Sequence, residues 1–237
     1  MKKSKLIISL SIILFLTISP LINSKSINLI KEEPTIILVV GFGPFLSYDI
    51  NPSELIAKEL DGEIINGAII IGFPVKPNLS NFTETIEIVY QAIEDYNPDY
   101  VFSIGLDASF KKIQIEKIGY NLKKEIKENS TLEKLIKNGP FIYISPFPAL
   151  KIVRELKKEG IPSKMSLFGG FSLCNGMLYS VLHYIDTNNL NIKSGFVHVP
   201  LHKYDKNPDG MELETMVNAT RIIIGICLNY FSWIYLY

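Results

Sequence analysis

The sequence predicts an α/β fold, a three-layer α/β/α sandwich with a mostly parallel twisted sheet, and three observations predict it. Short continuous apolar runs end on glycine, they alternate with stretches carrying helix-start signals, and nothing between residues 30 and 237 reads as a linker between domains. A strand buried on both faces shows a continuous apolar run instead of a polar alternation. Regular alternation of strand and helix in turn implies parallel strands joined by helices that cover both faces of one sheet.

Residues 36–40 (IILVV), ending at Gly41, form the first such strand and should lie centrally. Asn51-Pro52-Ser53-Glu54 then supplies an N-cap, a proline at the first helical position and a glutamate three residues past the cap, so a helix begins there. The same signals predict a strand over residues 69–73, a helix over 80–96 and a strand over 100–104 that ends on Gly105. Further on they predict a helix over 148–159, a strand over 164–168, a helix over 175–185, a strand over 195–199 and a last helix from Glu212. The charged stretch 123–137 reads as a solvated helix or loop.

With 24 Lys and Arg against 24 Asp and Glu, and 47% hydrophobic residues, the chain of 237 residues is neither disordered nor a carrier of the basic field that nucleic acid requires. Its size suffices for a core without metal or disulfide staples, and two cysteines cannot make a disulfide framework. Lys2, Lys3 and Lys5 precede an uncharged apolar stretch, which reads as a secretory signal or signal anchor over residues 1–24. Export or membrane association is the expected location, with a cytoplasmic protein as the alternative. Residues 222–237 carry no charge and are read first as a core-packing or oligomer-burying helix, then as a membrane-associated one.

Three positions could carry chemistry. Cys174 follows a Gly-Gly turn at the start of a helical pattern, where backbone N–H groups and the helix dipole favour a thiolate and can hold an oxyanion. His198 sits at the carboxyl end of a strand, where open α/β sheets place ligands. Glu116 interrupts an apolar alternation, IQIEKIGYN. Taken singly, each has a bland reading: a core thiol, a satisfied core imidazole and a solvated strand position. Together they supply a nucleophile, a base and a group that orients the base. Other motifs fail. Gly41-Phe42-Gly43 lacks the third glycine of a dinucleotide loop, and Pro200 between His198 and His202 breaks the helix that a zinc pair would need.

The blocks Gly41-Phe42-Gly43-Pro44-Phe45, Asn51-Pro52-Ser53, Gly105 to Asn121 with Glu116-Lys117, Gly170 with Cys174-Asn175, and Gly195 to Pro200 resemble, in that order, the pyroglutamyl-peptidase I family of cysteine peptidases. The resemblance implies removal of an amino-terminal pyroglutamyl residue from peptides without metal or cofactor. It implies Cys174 as nucleophile, His198 as base and Glu116 as its orienting carboxylate, with Phe42, Phe45, Leu106 and Leu173 at the substrate ring. Leu106, Phe110 and Ser172 depart from the family pattern, which predicts weakened activity or altered acyl specificity. A noncatalytic binder, or hydrolysis of another small cyclic or blocked amide, stands as the alternative. Association into a homo-oligomer is left open.

Overall fold

The structure is a computed structural model that describes residues 33–204 and 207–234. In chain order its elements are β1 (Ile36–Phe42), α1 (Pro52–Leu60), β2 (Ile64–Ile65), β3 (Ala68–Val75), α2 (Phe82–Tyr96), β4 (Tyr100–Leu106), β5 (Ile113–Glu116), β6 (Ile118–Tyr120), β7 (Ile142–Ile144), α3 (Ala149–Lys158), β8 (Ser163–Ser166), α4 (Leu173–Thr187), β9 (Lys193–Val199) and α5 (Leu213–Ile234). Seven strands form one sheet in the order β2-β3-β1-β4-β9-β5-β8, and β6 pairs with β7 separately. Strands β3, β1, β4 and β9 run parallel, β5 runs antiparallel to β9, and β8 runs parallel to β5.

Two apolar cores sandwich this sheet. Ile37, Val39, Phe102 and Ile104 pack with α1, α3 and α5 on one face, while Leu38, Val40, Val101 and Phe196 pack with α2 and α4 on the other. The side-chain alternation of a strand divides the residues in this way, and the apolar runs are continuous because both faces are covered. The chain leaves β1 through α1 to β3 on one side, then returns through α2 to β4 on the other side of β1. Right-handed crossovers in opposite directions put their helices on opposite faces and open a crevice beyond the carboxyl ends of β1 and β4.

Close packing at two glycines holds the sheet to its helices. A Cβ on Gly41 would lie 2.1 Å from the Ser53 carbonyl oxygen of α1, and one on Gly195 would lie 2.2 Å from the Phe147 ring. At the head of α1, Asn51 Oδ1 accepts from Ser53 N at 3.1 Å and Asn51 Nδ2 donates to the Gly43 carbonyl at 3.0 Å. The predicted N-cap therefore also ties down the loop after β1.

Several expectations change in the folded chain. The strand predicted over 164–168 stops at Ser166, because Leu167 and Phe168 turn out to 52% and 53% exposure. The helix predicted from residue 175 begins at Leu173, so Cys174 lies inside its first turn. Helix α5 buries Ile223, Ile224, Cys227 and Phe231 in the core, so its apolar residues are used in packing. No described helix is long and apolar enough to cross a membrane. The expected signal or anchor, residues 1–24, lies outside the described residues. Cys174 and Cys227 are both free thiols and belong to opposite faces of the sheet.

The charged stretch 123–137 is not simply solvated. Glu125 is 5% exposed, accepts from Lys123 Nζ at 2.9 Å, pairs with Lys127, and accepts from Phe82 N at 3.3 Å. Phe82 opens α2, whose own N-cap Asn81 makes no side-chain capping bond. A carboxylate from a distant loop thus caps this helix and meets the positive end of its dipole. Its neighbours bridge two walls of the crevice: Ile126 N donates to the Leu79 carbonyl and Lys124 N to the Phe171 carbonyl, both at 2.8 Å.

Burial alone would raise the Glu125 carboxyl, but the two lysines and the Phe82 amide hold it down to about 2, from an ordinary 4.5. A depressed carboxyl contributes stability that is complete above the unfolded value and is lost as pH falls through the folded one. Stability should therefore fall between pH 4.5 and about 2. Glu125→Gln is expected to cost roughly 1.5–3 kcal/mol at neutral pH and to flatten this acid dependence, both read from urea unfolding at a series of pH values.

Candidate active site

His198 reaches the crevice because β9 alternates. Phe196 and His198 project to the α2/α4 face, while Val197 and Val199 enter the opposite core. The antiparallel strand β5 lies beside it in a register that sets Gln114 opposite His198 and Glu116 opposite Phe196. Glu116 is thereby the diagonal neighbour of His198, within reach of a long side chain. The two meet through His198 Nδ1 and Glu116 Oε1 at 2.8 Å, with side chains only 5% and 3% exposed. Among the described residues, Glu116 Oε2 finds no hydrogen-bond partner and is also buried. The carboxylate therefore rests on the imidazole for its compensation, since an uncompensated buried charge is costly.

With Nδ1 engaged, Nε2 is the ring nitrogen left for Cys174, which lies near enough to act on the charge of the imidazole. Burial works against a charge on His198, but Cys174 and Glu116 outweigh it and raise the imidazole to about 10, from an ordinary 6.5. Nearby, Gln114 Nε2 donates to Asp107 Oδ2 at 2.8 Å. Burial would raise the Asp107 carboxyl, yet the Ser109 amide, Gln114 and the charge on His198 hold it below the usual carboxylate range.

Cys174 stands at the second position of α4. Ser172 caps that helix by position only and makes no side-chain capping bond, so it does not compete for the first-turn N–H groups that can hold an anion. Asn175 fixes the turn from behind. Its Oδ1 accepts from Tyr120 N at 2.8 Å, and its Nδ2 donates to the carbonyls of Tyr120 and Leu122 at 2.9 and 2.8 Å.

Two glycines make room for Cys174, Glu116 and His198. A Cβ on Gly105 would lie 3.0 Å from Cys174 Sγ and 2.7 Å from the Phe196 ring. One on Gly169 would lie 3.2 Å from the Glu116 carboxyl carbon and 3.4 Å from His198 Cε1.

A cavity of about 160 Å³ opens at this point, lined by Phe42, Phe45, Leu106 and Leu173 together with Cys174 and His198. Its volume suits a group much smaller than the drug-sized ligands that fill roughly 300–1,000 Å³. Glu116 stands behind His198, outside the cavity lining. Of the residues that depart from the family pattern, Leu106 and Ser172 line the cavity. Phe110 does not: its ring is 44% exposed and carries Lys164 Nζ at 3.5 Å from its centre. Sequence reading missed Leu79 and Gly169 in the wall, Asn175 as the anchor of the cysteine turn, and Glu125. Asn175 and Gly169 had local signals, the one directly after Cys174 and the other in the Gly-Gly turn before it. Among the described residues no group of His, Cys, Asp and Glu is arranged to hold a metal ion.

Comparison with known proteins agrees with this geometry. The family model described as pyroglutamyl peptidase matches residues 35–230. The pyrrolidone-carboxylate peptidase of Oceanobacillus iheyensis is 36% identical over 202 residues, which cover 81% of this chain and 98% of that protein. The corresponding protein of Pyrococcus furiosus is 34% identical over 206 residues, again covering 81% and 98%. Among solved structures, the pyrrolidone carboxyl peptidase of Pyrococcus furiosus superposes with a TM-score of 0.76 at 31% identity, covering 83% of this chain and 99% of that one. The pyroglutamyl peptidase I of Bacillus amyloliquefaciens superposes with a TM-score of 0.74 at 26% identity, covering 82% and 96%. With almost the whole length of these relatives matched and a sulfur, an imidazole and a carboxylate gathered at one crevice, the chain belongs to the pyroglutamyl peptidase family of cysteine peptidases.

Proposed function

We propose that this protein removes the amino-terminal pyroglutamyl residue from peptides, with Cys174 as nucleophile, His198 as general base and acid, and Glu116 as the carboxylate that orients His198. The observation that carries the proposal is the buried 2.8 Å contact between His198 Nδ1 and Glu116 Oε1, with Cys174 and His198 lining one cavity. An imidazolium beside a thiol favours the thiolate, which is the reactive form.

The sulfur attacks the carbonyl carbon that joins the pyroglutamyl ring to the next residue. The oxyanion that forms lies at the amino terminus of α4, where first-turn N–H groups can donate to it. His198 gives its proton to the departing amine, leaving a pyroglutamyl thioester on Cys174. The neutral imidazole then takes a proton from water, whose oxygen attacks the thioester carbonyl. Free pyroglutamate leaves and the proton stays on His198, restoring the starting pair.

Phe42, Phe45, Leu106 and Leu173 form the walls against the ring. Apolar and aromatic walls exclude water and select a flat, uncharged ring by shape. The Leu106 side chain offers the ring amide no hydrogen bond, so its polar edge depends on other groups of the wall.

Release of a fluorophore from a pyroglutamyl amide tests the proposal. Cys174→Ala is expected to lower kcat by about 10⁴-fold or more, and undiminished turnover in that variant would remove Cys174 from the mechanism. Glu116→Gln is expected to lower kcat by roughly 10²–10⁴-fold, because the amide loses the charge that steadies the imidazolium.

The pH profile tests the electrostatics separately. A raised His198 keeps its proton well above the ordinary 6.5, so the alkaline limb of kcat/KM should lie on the basic side of neutrality. In Glu116→Gln that limb should move toward acid, since the carboxylate is one of the groups that raise the imidazole. A limb that stays in place would show that Glu116 does not act through His198.

A further inference from the structure

The loop between β8 and α4 covers the outer side of the Glu116–His198 pair, and it is built from aromatic residues around two glycines. Gly169 stands against His198 Cε1 and the Glu116 carboxyl, and Phe168 and Phe171 flank the glycine pair. Their rings meet edge to face at 4.9 Å between centroids, and Tyr120 meets Phe168 in the same manner at 5.8 Å. Phe168 is nevertheless 53% exposed and the adjoining Leu167 52% exposed. The loop is held at several points. Tyr120 Oη donates to the Leu167 carbonyl at 3.0 Å, Phe168 N to Ser166 Oγ at 3.3 Å, and Lys124 N to the Phe171 carbonyl at 2.8 Å. It presents an apolar surface to water.

The chemistry of the site says which part of a substrate passes this surface. The ring of the acyl group fills the apolar cavity beside Phe42, Phe45 and Leu106. The departing amine must receive its proton from His198, so the peptide that follows the ring leaves on the imidazole side. Gly169 lies against the imidazole edge and in the cavity wall, so the aromatic loop that carries it borders that side. The side chain of the residue after the scissile bond therefore emerges next to the aromatic loop.

Resting on the function proposed above, we infer that Phe168 and Phe171 form the subsite for the residue following the pyroglutamyl group, and that the enzyme favours peptides with an aromatic or large apolar side chain there. Edge-to-face aromatic contact and burial of apolar surface supply the recognition. The hydrogen bonds that already hold the loop lower the ordering that binding has to overcome.

The experiment compares hydrolysis of pyroglutamyl-phenylalanine amide and pyroglutamyl-glycine amide. The wild-type protein should show a kcat/KM about three- to tenfold higher for the phenylalanine substrate, the range expected for one aromatic contact. In Phe168→Ala this ratio should fall toward one, and in Phe168→Leu most of it should return. A wild-type ratio near one, or a ratio unchanged in Phe168→Ala, would overturn the inference. Binding of the same two amides to Cys174→Ala protein reads the same preference as a ratio of Kd values without turnover. Loss of turnover with the binding ratio kept would count against the proposed reaction alone, whereas equal Kd values would overturn the subsite.

Discussion

The hydrogen bond between Glu116 and His198 depends on a reversal of strand direction within the sheet. Four long strands run parallel, and then β5 enters antiparallel beside β9. That pairing puts Glu116 one diagonal step from His198, on the face where α4 delivers Cys174. A parallel β5 would carry its residues past β9 in the other direction and bring a different side chain to the imidazole. Among the described residues, the buried carboxylate has one partner and one bare oxygen. Its charge and that of the ring each supply what the other lacks, which links the stability of the pair to its capacity to hold a proton.

The second constraint is the short segment after β6. Tyr120 and Leu122 clamp Asn175 behind Cys174, Lys124 holds the Phe171 carbonyl, and Ile126 holds the Leu79 carbonyl. Glu125, at the centre of this strap, caps α2 in place of Asn81. One stretch of loop thus sets the distance between the cysteine turn and the far wall of the ring cavity. Its carboxylate is buried with two ammonium groups and a helix amide around it, an arrangement that breaks sharply when any member is lost.

The scaffold was readable where local physics is strong. The run IILVV before Gly41, the Asn-Pro-Ser head of α1 and the periodic apolar stretch of α2 each announce their element, because backbone geometry and burial act within a few residues. Reading failed where a tertiary contact overrides local pattern. Residues 167–168 are apolar and continue a strand pattern, yet they turn outward to form the aromatic loop. The stretch from 123 to 137 is rich in charge and reads as solvated, yet Glu125 is drawn inside by partners far apart in sequence. Helix α4 starts two residues before its apolar period becomes visible, which places Cys174 in the first turn.

Family and fold class were present in the order of residues, and Glu116, Cys174 and His198 stood out as candidates through the ordered motif blocks, because glycine turns, cap residues and apolar runs are short-range signals. The meeting of those three side chains was not, since residues 116, 174 and 198 lie on three separate elements. Only the register of β5 against β9 and the anchoring of α4 by Asn175 bring them together. Register and helix placement come from packing summed over the whole sheet, and no local stretch of sequence holds that sum.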